Sequence, residues 1–221
     1  RPGQNVLVWG ASGGLGVFAV QLCAVSGAHA IGVVSSEEKK DYVLSMGAKA
    51  VINRNDFKCW GQLPKVNGPE FADYMKESRK FGKAIWEITG GKDVDIVFEH
   101  PGEATFPVSV LVCKRGGMVV ICAGTTGYNL TMDARFLWMR QKRIQGSHFA
   151  HLYHAAQANQ LVIDRRIDPA MSEVFPWEKI PDAHEKMLDN KHAPGNMAVL
   201  VNAQRSGLRT FEDVLELGAP R

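Results

Sequence analysis

The stretch Val6-Leu7-Val8-Trp9-Gly10-Ala11-Ser12-Gly13-Gly14-Leu15-Gly16 decides the fold of this 221-residue chain. An apolar strand over 5–9 leads into a turn with four glycines, and an apolar helix over 15–26 follows. Small residues let a backbone approach a pyrophosphate, and a helix N-terminus offers free N–H groups with a partial positive charge. The pattern predicts a dinucleotide-binding turn rather than a merely tight one. Its predicted contacts are Gly10, Ser12, Gly13, Gly14, Leu15 and Gly16.

Alternating strands and helices continue from this turn. Further strands are predicted over 30–34, 50–53, 94–99, 117–122 and 143–146. Val- and Ile-rich strands joined by helical crossovers predict an α/β fold, a Rossmann-type doubly wound parallel sheet. Residues 56–83 are long for a connection, where roughly 2–6 residues are usual, so we predict a functional or interface insertion there.

Composition limits the classes of function. The hydrophobic share of 45% suits a globular core, and the net charge of +3 is too small to argue for nucleic acid. No apolar run is long enough to span a membrane. Four cysteines without CxxC spacing fit a reducing, cytoplasmic location. The first residues, Arg1 to Asn5, resemble an internal turn, so we expect a fragment of a longer protein.

The residues after the second and third strands select the cofactor. An NAD site favours an acidic residue at the end of the second strand, to accept from the ribose 2′-hydroxyl. This chain has Ser35 and Ser36 there, followed by Lys39, and Arg54 follows the third strand. Hydroxyls and cations suit a 2′-phosphate, so NADPH is the predicted cofactor. Taken singly, each cation is equally well explained as a solvated loop charge.

Three later stretches resemble one family. Residues 95–102, 135–139 and 142–150 are similar to crotonyl-CoA carboxylase/reductases, in the quinone-reductase-like branch of medium-chain dehydrogenases/reductases. The most specific motifs are Phe-Glu-His-Pro-Gly at 98–102 and Gly-Ser-His-Phe-Ala at 146–150, and the likeness covers about 2–202. It implies that NADPH delivers hydride to C3 of an α,β-unsaturated acyl-CoA and that C2 then attacks CO2, giving ethylmalonyl-CoA from crotonyl-CoA. Without CO2 the reaction is a plain reduction.

The resemblance also implies an organisation. Residues 1–165 form the NADPH-binding domain, and residues 166–221 are a C-terminal segment that returns to a GroES-like catalytic domain absent from this chain. A zinc-free homo-oligomer, a dimer or a tetramer, is implied, and the fragment alone is expected to turn over poorly.

By the same resemblance, His148 lies beside the nicotinamide, where its N–H polarises a CO2 oxygen as negative charge develops. The alternative is a core histidine at a strand end. The three-residue spacing of His148, His151 and His154 is compatible with metal ligands. No acidic residue accompanies them, so a surface helix is favoured and no metal is predicted.

Ligands of doubly wound sheets bind beyond the carboxyl ends of the strands. This position nominates further cofactor contacts at His100, Pro101, Gly124, Thr125 and Phe149. His100 is equally explained as a loop residue that caps a helix. Arg135 is the predicted partner of the CoA 3′-phosphate, with Phe136 where relatives often have tyrosine; a solvated surface arginine is the alternative.

Two other functions fit the glycine turn. One is a simple NADPH-dependent enoyl-CoA or quinone reductase without carboxylation, from which His148 and the two specific motifs distinguish the carboxylase. The other is a non-catalytic NADPH-binding scaffold, which NADPH oxidation stimulated by an enoyl-CoA would exclude.

Overall fold

The computed structural model describes residues 1–201, which contain one six-stranded parallel sheet. Its strands are β1 (Asn5–Val8), β2 (His29–Val34), β3 (Ala50–Asn53), β4 (Val94–Glu99), β5 (Cys113–Ile121) and β6 (Arg143–Gly146). They lie in the order β3-β2-β1-β4-β5-β6. The order reverses direction at β1, which places a crevice beyond the carboxyl ends of β1 and β4. The predicted α/β doubly wound fold is confirmed.

Helices cover both faces of this sheet. They are α1 (Gly14–Val25), α2 (Lys40–Ser45), α3 (Phe71–Thr89), α4 (Phe106–Val112), α5 (Ala134–Trp138) and α6 (Leu152–Ile163). None of the helices within residues 1–201 combines the length and apolarity needed to cross a membrane.

Side-chain alternation along the strands separates two cores. On β1, Val6 and Val8 belong to the hydrophobic core on one face of the sheet. Leu7 and the adjoining Trp9 belong to the core on the other face. All four β1 residues are buried, as expected for a central strand covered on both faces.

The predicted insertion divides into two parts. Residues 57–70 are irregular, whereas residues 71–83 belong to α3, the crossover helix between β3 and β4. Trp60 from the irregular part packs edge-on against Trp9 at 5.4 Å between ring centroids, and Phe81 from α3 stacks on Trp9 at 5.7 Å. Such pairs contribute about 0.5–1.5 kcal/mol each beyond their buried area, so this segment stabilises the core beneath the glycine turn.

The C-terminal segment forms a separate unit of strand, helix and strand. Its elements are β7 (Met171–Phe175), α7 (Ile180–Leu188) and β8 (Asn196–Val199), and β7 pairs with β8 in parallel. The Gln21 side chain accepts from the backbone N–H of Asp168 at 2.7 Å and donates to its carbonyl at 3.0 Å. The segment is therefore attached to α1. Its return to an absent catalytic domain stays a prediction.

Candidate cofactor site

The glycine turn has two positions where only glycine fits. Gly10 has φ +54, and a Cβ there would lie 2.6 Å from Nε2 of His100. A Cβ at Gly16 would collide with the carbonyl oxygen of Gly10, because α1 starts directly against the turn. The backbone N–H of Gly13 donates to Gly10 at 2.9 Å, which closes the turn. The β1 backbone thus reaches the crevice with no side chain in the way.

The crevice beyond the carboxyl ends of the strands has a volume of about 390 Å³. Nine of the predicted cofactor residues line it: Gly10, Ser12, Gly13, Ser35, Lys39, Arg54, His100, Pro101 and Thr125. The remaining predicted contacts, Gly14, Leu15, Gly16, Ser36, Gly124 and Phe149, do not border it. Gly14 and Gly16 are closely packed: the Asn196 side chain occupies the space beside Gly14, and the Gly10 backbone occupies that beside Gly16.

Cations are available at the β2 and β3 end of the crevice. Lys39 and Arg54 have no ion-pair partner within residues 1–201, and Nε of Arg54 is buried without a hydrogen-bond partner there. The Glu37 carboxylate, two residues before Lys39, is already engaged: it pairs with Lys40 at 2.7 Å and accepts from Asn53 at 2.8 Å. These bonds, that from Lys40 above all, lower the pKa of Glu37. An anionic ligand at this end would satisfy the buried Arg54 nitrogen.

Two turns form the opposite wall: the β4 turn, residues 100–105, and the β5 turn, residues 122–127. Nε2 of His100 donates to the Trp9 carbonyl at 3.0 Å, and burial lowers the pKa of this histidine. Backbone N–H groups of Thr125 and Thr126 donate to the His100 and Pro101 carbonyls at 3.3 Å and 2.7 Å. The two turns therefore form one bonded wall, with a neutral imidazole against the glycine turn.

A C-terminal strap, residues 190–196, crosses the crevice and was not predicted from the sequence. Asn190, His192 and Pro194 line the crevice, and the Gly195 N–H donates to the Ser12 carbonyl at 3.0 Å. Gly195 has φ +104, and a Cβ there would collide with the carbonyl of Ala170. The Pro-Gly pair before β8 was the available signal, but it marks a turn without revealing what the turn contacts.

Comparison with known proteins identifies the family. The family model described as zinc-binding dehydrogenase matches residues 14–164. The chain belongs to the zinc-binding dehydrogenase family. Within residues 1–201, no group of three or more His, Cys, Asp or Glu side chains is placed to hold a metal ion.

Individual relatives confirm the resemblance found in the motifs. A crotonyl-CoA carboxylase/reductase of Cereibacter sphaeroides is 71% identical over 99% of this chain and 51% of its own length. A solved crotonyl-CoA carboxylase/reductase is 75% identical, with a TM-score of 0.92 over 98% of this chain and 51% of that one. A 2-octenoyl-CoA carboxylase reductase solved with NADP and 2-octenoyl-CoA is 36% identical, with a TM-score of 0.85 over 100% of this chain and 48% of that one. The chain spans about half the length of these relatives.

His148 and Phe149 lie outside the crevice. They follow β6, where the Ser147 N–H donates to the Ile121 carbonyl at 2.8 Å. Both are exposed, Phe149 at 92%, and their ring centroids are 4.0 Å apart. His151 caps α6 by accepting from the Tyr153 N–H, and His154 lies on that exposed helix, so two of the three spaced histidines belong to the predicted surface helix.

Arg135 also lies away from the crevice. Its guanidinium donates to both carboxylate oxygens of Asp133, with Nη2 at 2.6 Å from Oδ2, and this pairing lowers the pKa of Asp133. It borders a shallow depression of about 330 Å³ together with Arg79, Phe136 and Arg140.

Proposed function

We propose that this chain is the NADPH-binding half of an enzyme that reductively carboxylates α,β-unsaturated acyl-CoA, converting crotonyl-CoA and CO2 to ethylmalonyl-CoA. The observation that carries the cofactor assignment is the buried Nε of Arg54, which has no hydrogen-bond partner among residues 1–201. It lies beside Lys39, at the end of the crevice where a 2′-phosphate would lie. The carboxylase assignment is supported by relatives named crotonyl-CoA carboxylase/reductase and by the NADP and 2-octenoyl-CoA complex of another.

We propose that NADPH lies in this crevice. Bound NADPH supplies the hydride; this chain supplies the surface that orients it. The bare backbone at Gly10 and Gly13, at the start of α1, accommodates a pyrophosphate. Lys39, Arg54 and Ser35 bind the 2′-phosphate, while His100 and Thr125 flank the other half of the dinucleotide.

His148 is proposed to hold CO2. Its imidazole N–H stabilises the carboxylate oxygen that gains charge when the substrate carbon attacks. Because the ring is exposed and follows the edge strand β6, this role requires an enclosing surface from the rest of the enzyme or from a second subunit. Phe149, whose ring lies against His148, belongs to the same surface.

The CoA moiety is proposed to reach Arg135. The guanidinium keeps exposed edges beside its Asp133 pair, and Arg79 and Arg140 add positive charge to the same depression. A phosphate there would face three cations and one carboxylate, which favours binding.

Assembly as a homo-oligomer is proposed as well. All four residues of the edge strand β6 are exposed, and unpaired strand edges favour pairing with another chain. Exposed apolar side chains flank this strand: Trp138, Met139, Leu152 and Tyr153. The cytoplasmic location stays a prediction.

A plain NADPH-dependent reductase is the second candidate, favoured by the position of His148 outside the crevice. The test is NADPH oxidation by the full-length enzyme with crotonyl-CoA, with and without bicarbonate, followed by product analysis. The proposal predicts ethylmalonyl-CoA with bicarbonate, and butyryl-CoA from the His148→Asn variant under the same conditions. His154→Asn, an exposed histidine of α6, is the matched control and leaves carboxylation intact. Butyryl-CoA from the native enzyme whatever the bicarbonate supply would make it a plain reductase.

A further inference from the structure

Glu99 is a fully buried carboxylate at the end of β4, and the crevice does not include it. Its Oε1 accepts from the Gly102 N–H at 3.1 Å and from the Thr105 hydroxyl at 2.7 Å, and its Oε2 accepts from the Ser109 hydroxyl. No cation among residues 1–201 pairs with it. Burial raises the pKa of this carboxyl, and the three hydrogen bonds oppose the rise. A buried carboxyl without a cation costs stability, which makes a purely packing role a poor explanation.

Trp9 links this carboxylate to the glycine turn. The indole Nε1–H donates to the Ser109 hydroxyl at 2.8 Å, and that hydroxyl donates onward to Glu99. The carbonyl of the same tryptophan accepts from His100. A closed set of hydrogen bonds therefore joins the end of β1, the end of β4 and the start of α4.

The β4 turn, which is bonded to Glu99, also fixes the position of the β5 turn. Gly102, whose N–H donates to Glu99, has φ +90, and a Cβ there would lie 2.9 Å from the Cα of Gly124. The Thr126 hydroxyl donates to the Pro101 carbonyl at 2.7 Å and accepts from the Ala104 N–H at 3.0 Å. A shift of the β4 turn would carry the β5 turn with it, and the two turns form one wall of the crevice.

We propose that Glu99 is a positioning residue for the cofactor, which, through Thr105, Ser109 and Trp9, fixes the wall formed by His100, Pro101 and Thr125. The inference rests on the proposed binding of NADPH. The proposal predicts different effects at the two ends of the dinucleotide, because this wall follows β4 and β5 whereas Lys39 and Arg54 follow β2 and β3, on the other side of β1. Loosening it weakens binding of the whole dinucleotide and leaves the 2′-phosphate end intact.

The probes are NADPH and 2′,5′-ADP, whose dissociation constants are measured on the full-length enzyme. Thr105→Val and Ser109→Ala each remove one hydroxyl bonded to Glu99. We expect each to weaken NADPH about tenfold, since each leaves the wall less well fixed, and to leave 2′,5′-ADP affinity unchanged. Thr105→Ser, which keeps the hydroxyl, restores NADPH affinity.

Ser78→Ala is the matched control, because Ser78 is another fully buried helical serine and its hydroxyl donates to the Tyr74 carbonyl, outside this network. It lowers the melting temperature without changing NADPH affinity. Equal NADPH affinity in Thr105→Val, Ser109→Ala and Ser78→Ala would overturn the proposal, as would equal weakening of both probes. Failure of the native enzyme to bind either probe would instead refute the proposed function.

Discussion

The ends of β1 and β4 and the end of β6 lie at the same edge of one sheet, yet they are built differently. At β1 and β4, Trp9, His100 and Glu99 are held by hydrogen bonds among themselves and their neighbours. The strap of residues 190–196 crosses the crevice there and bonds to the glycine turn at Ser12, which lies far from it in the sequence. After β6, residues 147–160 are all exposed. Under the proposed function, residues of this chain supply most of the cofactor contacts, whereas the exposed surface that carries His148 would need a covering partner.

The arginines of the two regions differ in the same way as their surroundings. Arg54, inside the crevice, has a buried nitrogen that nothing within residues 1–201 satisfies, while Arg135, outside it, already has a carboxylate partner. An unsatisfied buried donor costs about 1–3 kcal/mol, a cost that a phosphate bound to Arg54 would offset. This difference supports the proposal that the 2′-phosphate binds at Arg54.

The largest expected effect comes from filling the glycine turn. Gly10→Ala combines a positive φ with a Cβ that meets the His100 ring, and we expect NADPH affinity to fall about 100-fold. Gly146→Ala, at the end of β6, adds a Cβ that meets nothing within 4 Å and is the control. Comparable losses in both variants, measured by fluorescence titration with NADPH, would remove the distinction between the end of β1 and the end of β6.

A smaller effect is expected from the cations. Arg54→Ala should weaken NADPH about 10- to 30-fold and leave NADH affinity unchanged, because charge-assisted bonds to a phosphate are lost. Lys92→Ala, an exposed lysine at the opposite edge of the sheet, should change neither. Parallel losses for NADPH and NADH would place Arg54 outside the 2′-phosphate site.

The smallest effect is a pH dependence of stability. Burial holds the pKa of His100 below its unfolded value of about 6.5, so its stabilising contribution is complete above that pH and is lost as the pH falls towards the folded-state value. The melting temperature should therefore drop less in His100→Gln than in the native protein between pH 7.5 and 5.5. His184→Gln, an exposed histidine of α7, should show the native drop. Identical drops in all three proteins would contradict a buried neutral His100.

Much of the fold was predictable because its signals are local. Gly10 to Gly16 lie between a strand and a helix, and Ser35, Lys39 and Arg54 follow strands whose ends share one edge. These relations depend only on the order of elements in a doubly wound sheet.

The rest depended on contacts distant in sequence. Asn196 covering Gly14, and Gly195 bonding to Ser12, leave no local pattern. The start of β5 was also misplaced: the strand was predicted from Gly117, but it begins at Cys113 and includes Gly116 and Gly117 where the register shifts against β4. The hydrogen bonds from the β4 turn to Glu99 could not be predicted either, because the sequence around Glu99 indicates only the end of a strand.

The most direct test of this division is to titrate the 221-residue chain and the full-length enzyme with NADPH, and then to supply crotonyl-CoA. The account predicts that the folded chain binds NADPH with a dissociation constant within about tenfold of the full-length value, and that only the full-length enzyme oxidises it. A folded chain that fails to bind NADPH, or that reduces crotonyl-CoA as fast as the full-length enzyme, would contradict it.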